Sequence, residues 1–325
     1  MKYGKFPTLD REVSKLGFGA FGLKGVFGGF DEREAIGAMH FCWENGVNFL
    51  DTARHYGESE AIVGKALREW RGETPFIATK AECIGPTKQW AMPVAVEECF
   101  PKGHITREAE TSLRTMGVDR LDLFQMHIYW PNWGVGGYWL DELETLREQG
   151  KVATIGVSVP DQRHDSVLPL VMGGRIQAVQ AVFNLFDPTP LDCLVPICRE
   201  NDVAVLARCV LDEGGLTGFL TGETQFGKGD FRAGYFDQGP RDHYIAKVDA
   251  LRKFIPEHAG SLAALALKFV IQDSGVTTAL SSMNIREHAE LNVAAMDEEP
   301  LAEEVFQEIR KNHRWIRNFY SGKAL

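Results

Sequence analysis

Four side chains in the N-terminal half of the chain are of the types that together move a proton at a carbonyl: Asp51, Tyr56, Lys80 and His127. A tyrosine hydroxyl, with a reference pKa of about 10, is a poor acid near neutral pH. A lysine ammonium beside it favours the phenolate and lowers that pKa, and an aspartate paired with the lysine holds the ammonium in place. A phenol tuned in this way donates a proton to a carbonyl oxygen or takes one from an alcohol. A histidine bonded to the same oxygen orients the substrate. Taken singly, each residue also has a structural role: Asp51 as a helix cap, Lys80 as an ion-pair partner, His127 as a satisfied strand-end histidine. Their joint occurrence at successive strand ends is what points to chemistry. No metal site is expected, because the nine histidines form no HxH or HExxH pattern, and His40, His164, His258 and His313 fall on predicted helices or their ends.

The elements that must position these side chains alternate along the chain. Mainly apolar runs predict strands at Leu16–Gly19, Asn48–Asp51, Phe76–Thr79, Leu121–Gln125, Thr154–Val157, Ala178–Val182, Ala204–Arg208 and Thr277–Leu280. Amphipathic segments between them predict helices over Asp31–Asn45, Glu58–Trp70, Thr106–Met116, Leu140–Gln149, Asp161–Met172, Leu191–Asn201, Ser261–Gln272 and Ile285–Ala295. Eight strands, each followed by a helix, is the count for a (β/α)8 TIM barrel, and residues 1–325 are read as one such domain. Residues 1–15 are expected to form an N-terminal hairpin closing the barrel bottom, and a last helix spans 302–312. Long loops at 81–104, 128–138 and 211–242 leave the C-terminal face, where barrel enzymes build their sites. The stretch Gly17-Phe-Gly19-Ala-Phe-Gly22 matches G-x-G-x-x-G, but the next helix begins only near Asp31. The dinucleotide fingerprint needs its last glycine to open a helix at once, so these small residues instead leave room for a ligand above a barrel strand.

Composition excludes other classes. With 45 acidic and 35 basic residues the net charge is -10, and no dense Lys/Arg run offers a nucleic acid or an anionic membrane a surface. No apolar stretch reaches the ~18 residues that cross a bilayer, and the charged opening segment with Pro7 is no secretory signal. The six cysteines show no paired spacing and read as free thiols of a cytoplasmic protein.

The segments Asn48-Phe-Leu-Asp-Thr-Ala-Arg-His-Tyr-Gly-Glu-Ser-Glu60 with Gly64-Lys-Ala-Leu67, Phe76-Ile-Ala-Thr-Lys80, Ser112-Leu-Arg-Thr-Met-Gly-Val-Asp-Arg-Leu-Asp122 and Gln125-Met-His127 resemble the aldo-keto reductase superfamily in order and spacing. The resemblance runs from about Val13 to Ala295. It implies that Asp51, Tyr56, Lys80 and His127 form the family tetrad, with Tyr56 as proton donor or acceptor in hydride transfer between a nicotinamide and a carbonyl or alcohol carbon. It further implies that Ser158 and Gln180 hold the nicotinamide carboxamide, that Gly19, Ala20 and Phe21 line its cavity, and that the loop carrying Leu211, Glu213 and Leu216 covers the pyrophosphate. Glu290 and Asn292 fall where family members commonly touch adenine.

The chain also departs from the family pattern. Val159 replaces an asparagine that often follows the serine, and Arg208 stands where an aromatic often stacks on the nicotinamide, a role a guanidinium plane can keep. Ser282, Asn284 and His288 occupy positions where NADP-preferring members carry Lys or Arg, leaving Arg286 as the nearby cation for a 2'-phosphate. This tilts the cofactor, NAD or NADP, toward NAD.

Trp90, Tyr129, Trp130 and Trp133 are expected to overhang the site; such aromatics suit a sugar or aromatic carbonyl, or else pack the lids. The small-molecule carbonyl or alcohol substrate is read as a sugar or sugar-derived aldehyde, while Arg54, His55 and Arg208 keep an anionic one open. Two alternatives stand beside the reductase: a Schiff-base aldolase or lyase using Lys80, and a non-catalytic redox-sensing subunit of the same fold.

Overall fold

The structure, a computed structural model, describes residues 1–85, 94–237 and 240–316. Its strands are β1 (Tyr3–Lys5), β2 (Glu12–Ser14), β3 (Leu16–Gly19), β4 (Phe49–Asp51), β5 (Phe76–Glu82), β6 (Leu121–His127), β7 (Val152–Ser158), β8 (Ala178–Val182), β9 (Ala204–Arg208) and β10 (Val276–Ser282). Strands β3 to β10 pair in chain order and β10 returns to β3, closing an eight-stranded parallel barrel, the (β/α)8 architecture expected. Helices Glu32–Glu44, Ser59–Glu69, His104–Met116, Tyr138–Glu148, Leu168–Met172, Leu194–Glu200, Leu262–Ile271 and Arg286–Ala295 follow the barrel strands, and Glu303–Asn312 comes last. Among the described residues no helix is long and apolar enough to cross a membrane.

Local chemistry explains the boundaries. Asp31 and Ser261 cap their helices by accepting from the backbone N–H of Glu34 and Ala264. The helix expected over Asp161–Met172 is reduced to a 3-10 turn, His164–Val167, and a short helix from Leu168. Pro169 explains this, since proline fits the first helical turn but not an interior position. The antiparallel hairpin β1–β2 sits at the barrel bottom, where Phe6 and Val13 pack with Phe49, Phe76, Leu123, Leu206 and Leu280. The bottom is therefore plugged with apolar side chains, and the open end is the C-terminal one.

Helix Ser59–Glu69 approaches helix His104–Met116 so closely that a Cβ at Gly64 would lie 2.8 Å from the Thr115 carbonyl oxygen and 2.9 Å from Met116 Cα. Gly64→Ala is expected to destabilise the fold by about 1–3 kcal/mol, despite the higher helix propensity of alanine. Urea unfolding measures this, and an unchanged midpoint would contradict the close packing.

The stretch after β9, expected to be a Gly-rich loop over 211–242, carries a helix of its own, Phe231–Phe236, and the start of a second, Arg241–Asp249. It crosses to the segment after β3. Phe231 N–H donates to the Val26 carbonyl (2.9 Å), and the Arg232 guanidinium donates to the Phe27 carbonyl (3.1 Å) while packing on the Phe27, Phe219 and Phe226 rings.

Candidate active site

Successive strand side chains alternate between faces, so a polar residue two positions beyond an inward apolar one also points inward. Phe49, Ala78, Leu123 and Ala178 belong to the apolar cluster inside the barrel. Two residues further along the same strands stand Asp51, Lys80, Gln125 and Gln180, all buried. Register brings them together: Lys80 lies opposite Gln125, His127 opposite Ser158, and Ser158 opposite Gln180.

Asp51 is the hub. Its carboxylate accepts from Lys80 Nζ (2.5 Å), Gln180 Nε2 (3.0 Å) and Gln125 Nε2 (3.3 Å). Lys80 Nζ also donates to the Thr52 carbonyl (2.8 Å), so its ammonium is held by two acceptors. Burial pushes the Lys80 ammonium toward the neutral amine and Asp51 pulls it back. Tyr56 stands on the turn after β4. That turn is tied to β5 by Thr52 N–H to Ala78 O (2.9 Å) and Arg54 N–H to Lys80 O (3.2 Å). The Tyr56 ring lies with Lys80 Nζ 5.0 Å from its centroid, the His127 ring at 5.8 Å and the Phe21 ring at 5.1 Å.

The electrostatics differ from the expectation at one point. The Tyr56 phenol is held well above its ordinary value, first by burial and then by the Asp51 carboxylate, with Arg208 acting the other way. The lysine does not lower it as expected, because Asp51 offsets the charge of Lys80 at 2.5 Å and the ammonium sits over the ring. Burial, with Lys80 next, pushes His127 well below the usual histidine range, so its imidazole is neutral at pH 7. The pocket thus presents a protonated phenol and a neutral imidazole side by side, a pair able to hydrogen-bond one carbonyl oxygen.

The sequence profile of the Aldo/keto reductase family matches residues 15–313. The chain belongs to the aldo/keto reductase family. It is 26% identical over 315 residues to the NADH-specific methylglyoxal reductase of Escherichia coli, covering 91% of this chain and 94% of that one. It is 26% identical over 328 residues to the L-galactose dehydrogenase of Arabidopsis thaliana, covering 94% and 93%. Among solved structures, a glycerol dehydrogenase from Gluconobacter oxydans superposes with a TM-score of 0.79 at 26% identity, over 96% of this chain and 95% of that one.

Around the tetrad, this aldo/keto reductase places the remaining expected residues unevenly. Ser158 Oγ is buried with no partner among the described residues, as is Gln125 Oε1. Gln180 gives its amide nitrogen to Asp51. Gly19 ends β3, and Ala20 and Phe21 open the 3-10 turn that follows. Arg208 enters with its charge matched: its guanidinium donates to Asp161 Oδ1 (2.6 Å) and the Val159 carbonyl (3.1 Å). Leu211, Glu213 and Leu216 lie in the loop and 3-10 turn after β9. Burial pushes the Glu213 carboxyl up to about 7, although the Cys209 thiol donates to it.

The structure places the other expected residues as follows. Arg286 is not a free cation: it donates to Glu290 (2.6 Å) and stacks on the Phe41 ring at 3.8 Å. Asn292 is buried and donates to Ser281 Oγ (3.0 Å), and Asn284 is buried beneath Gly22, where a Cβ would come within 2.3 Å of its amide oxygen. Ser282 is half-buried and His288 exposed. Tyr129 and Trp130 do not overhang the mouth but are buried. The Tyr129 ring packs near Trp133 and Trp139 while its hydroxyl donates to Gly134 O, so it supports the loop after β6. Trp90 lies outside the described residues. Arg54 is neutralised by Glu60 (2.7 Å) and Glu108 (3.6 Å).

Sequence reasoning missed Gln125 as a ligand of Asp51; counting two back from His127 on one strand would have found it. It also missed the buried Glu60, whose carboxylate accepts from Thr79 (2.7 Å), Ser112 (2.7 Å) and Arg54 (2.7 Å) and so fixes the helix after β4 to β5.

Proposed function

We propose that this aldo/keto reductase interconverts an aldehyde or ketone and its alcohol with NAD(P)H, Tyr56 donating or accepting the proton. The observation that carries this reading is the packing of the Asp51–Lys80 pair, the Tyr56 ring and the neutral His127 imidazole around one point at the barrel mouth. The residues present fit a nicotinamide. The unpartnered Ser158 hydroxyl wants a donor or acceptor, and a carboxamide offers both. When bound, the reduced nicotinamide supplies the hydride. Gly19, Ala20 and Phe21 would border it, and Arg208, fixed by Asp161, would stand beside it. Tyr56 would hold its proton at the substrate oxygen and His127 would orient that oxygen.

NAD is the favoured cofactor. The guanidinium expected to meet a 2'-phosphate has its charge offset by Glu290 on the same helix, and the E. coli relative is named NADH-specific. The substrate class proposed is a sugar or sugar-derived aldehyde, in keeping with a relative named for L-galactose.

Cofactor oxidation across a panel of aldehydes, ketones and aldoses, run separately with NADH and NADPH, tests both parts. Turnover with NADH exceeding that with NADPH is expected. Tight cofactor binding without turnover of any carbonyl or alcohol would overturn the enzymatic reading, and an NADPH preference would overturn the cofactor choice.

A further inference from the structure

We propose that Lys24 is a specificity-determining residue that recognises an anionic oxygen group, a carboxylate or a phosphate, on the carbonyl substrate; this deepens the reductase reading and rests on it. Lys24 is the last residue of the 3-10 turn Ala20–Lys24, which begins where β3 ends at the barrel mouth. Its Nζ lies 2.9 Å from His55 Nε2, and His55 Nδ1 lies 3.0 Å from Glu82 Oε1. An ammonium only donates, so Nε2 must accept, and the ring proton sits on Nδ1 and goes to Glu82.

The imidazole is therefore neutral and separates the two charges, with the ammonium at one end and the carboxylate at the other. The three residues come from the segments after β3 and β4 and from the end of β5. They stand directly beside the reaction centre: the His55 ring is 6.2 Å from the His127 ring, and His55 precedes Tyr56 in the chain.

Other cations around the mouth are already matched by carboxylates, Arg54 by Glu60 and Arg208 by Asp161. Among the described residues Lys24 has no carboxylate within ion-pair distance; its bonded partner is an uncharged ring nitrogen. Half-buried and held in one place, it keeps donors for an anion arriving at the mouth. A substrate whose carbonyl lies at Tyr56 and His127 would bring a terminal anionic group toward it.

The test compares paired substrates: D-glucuronate with D-glucose, succinic semialdehyde with butanal, and glyceraldehyde 3-phosphate with glyceraldehyde. The wild-type protein is expected to favour the anionic member of at least one pair by roughly 10- to 100-fold in kcat/KM, the scale of a charge-assisted hydrogen bond. The carboxylate and phosphate pairs show which group is read. Lys24→Met should bring that ratio close to one while cofactor affinity is retained. His55→Phe, which removes the anchor but keeps the lysine, should raise KM for the anionic member more than it lowers kcat. An unchanged ratio in Lys24→Met overturns the proposal, and so does an equal loss of cofactor affinity, which would assign the cation to the cofactor phosphates.

If no probe is reduced, the reductase reading fails, and calorimetric titration of glutarate and of inorganic phosphate into the cofactor-saturated protein decides Lys24 separately. Binding of either anion that Lys24→Met weakens supports the assignment. Binding insensitive to the substitution, or none of either anion, overturns it.

Discussion

Tyr56→Phe is expected to lower kcat/KM for carbonyl reduction by about 10²–10⁴, the usual worth of a positioned proton donor, while fold and cofactor affinity persist. The substitution removes one oxygen and leaves the ring, so the contacts with Phe21 at 5.1 Å, His127 at 5.8 Å and the Lys80 ammonium at 5.0 Å all remain. The direction of the Tyr56 shift adds a pH signature. Burial and the Asp51 carboxylate raise its pKa, so the phenol keeps its proton throughout the neutral range. Reduction needs that proton and should hold across neutral pH, falling only as pH rises toward the raised tyrosine value. Alcohol oxidation needs the phenolate and should gain with pH. Initial rates in both directions for the wild type and Tyr56→Phe measure this. A variant with undiminished turnover would remove Tyr56 from the chemistry.

The second large effect concerns the buried ion pair. Lys80→Met leaves the Asp51 carboxylate in the barrel with, among the described residues, only the Gln125 and Gln180 amides as donors. Breaking a buried pair from one side costs about 3–5 kcal/mol, so a lowered Tm should accompany the loss of turnover. Replacing both partners, Asp51→Leu with Lys80→Met, removes the uncompensated charge and should recover most of the stability, since apolar replacements of buried pairs are commonly neutral or stabilising. Activity should not return. Thermal unfolding and turnover of the two variants separate the structural share of the pair from its part in catalysis. A stable double variant with near wild-type turnover would show that the pair has no part in catalysis.

The barrel was legible because its strands are apolar on both faces: Leu16–Gly19, Ala178–Val182 and Ala204–Arg208 appear with the bounds expected. β5 and β6 run further than expected, to Glu82 and His127, for a reason tied to the site. The side chains turn polar where the site begins, while the backbone ladder continues, and hydrophobicity reports the first and not the second. The helices Phe231–Phe236 and Arg241–Asp249 were illegible in a Gly-rich stretch. The first is held by tertiary contacts, above all Arg232 among three phenylalanine rings.

The tetrad could be read because Asp51 and His127 end their strands, Lys80 lies near the end of β5 and Tyr56 lies on the turn after β4. Its partners could not. Gln125 on Asp51 and Glu82 on His55 are matters of register and rotamer that a linear pattern does not carry, whereas Glu290 on Arg286 is an i,i+4 pair on one helix that the spacing does carry. Tyr129 looked available to a substrate and Arg286 to a phosphate. The residue types were right for those roles, but Gly134 and Trp139 engage Tyr129, and Glu290 of the same helix and the Phe41 ring engage Arg286.

The most direct test of the central claim is a crystal structure of the protein with its nicotinamide cofactor and an unreactive carbonyl analogue. The expected result is a carbonyl oxygen within about 2.6–3.2 Å of Tyr56 Oη and in reach of His127, with Lys80 still paired to Asp51. A carbonyl carbon bonded to Lys80 Nζ, or an oxygen held elsewhere with Tyr56 out of hydrogen-bond range, would contradict it.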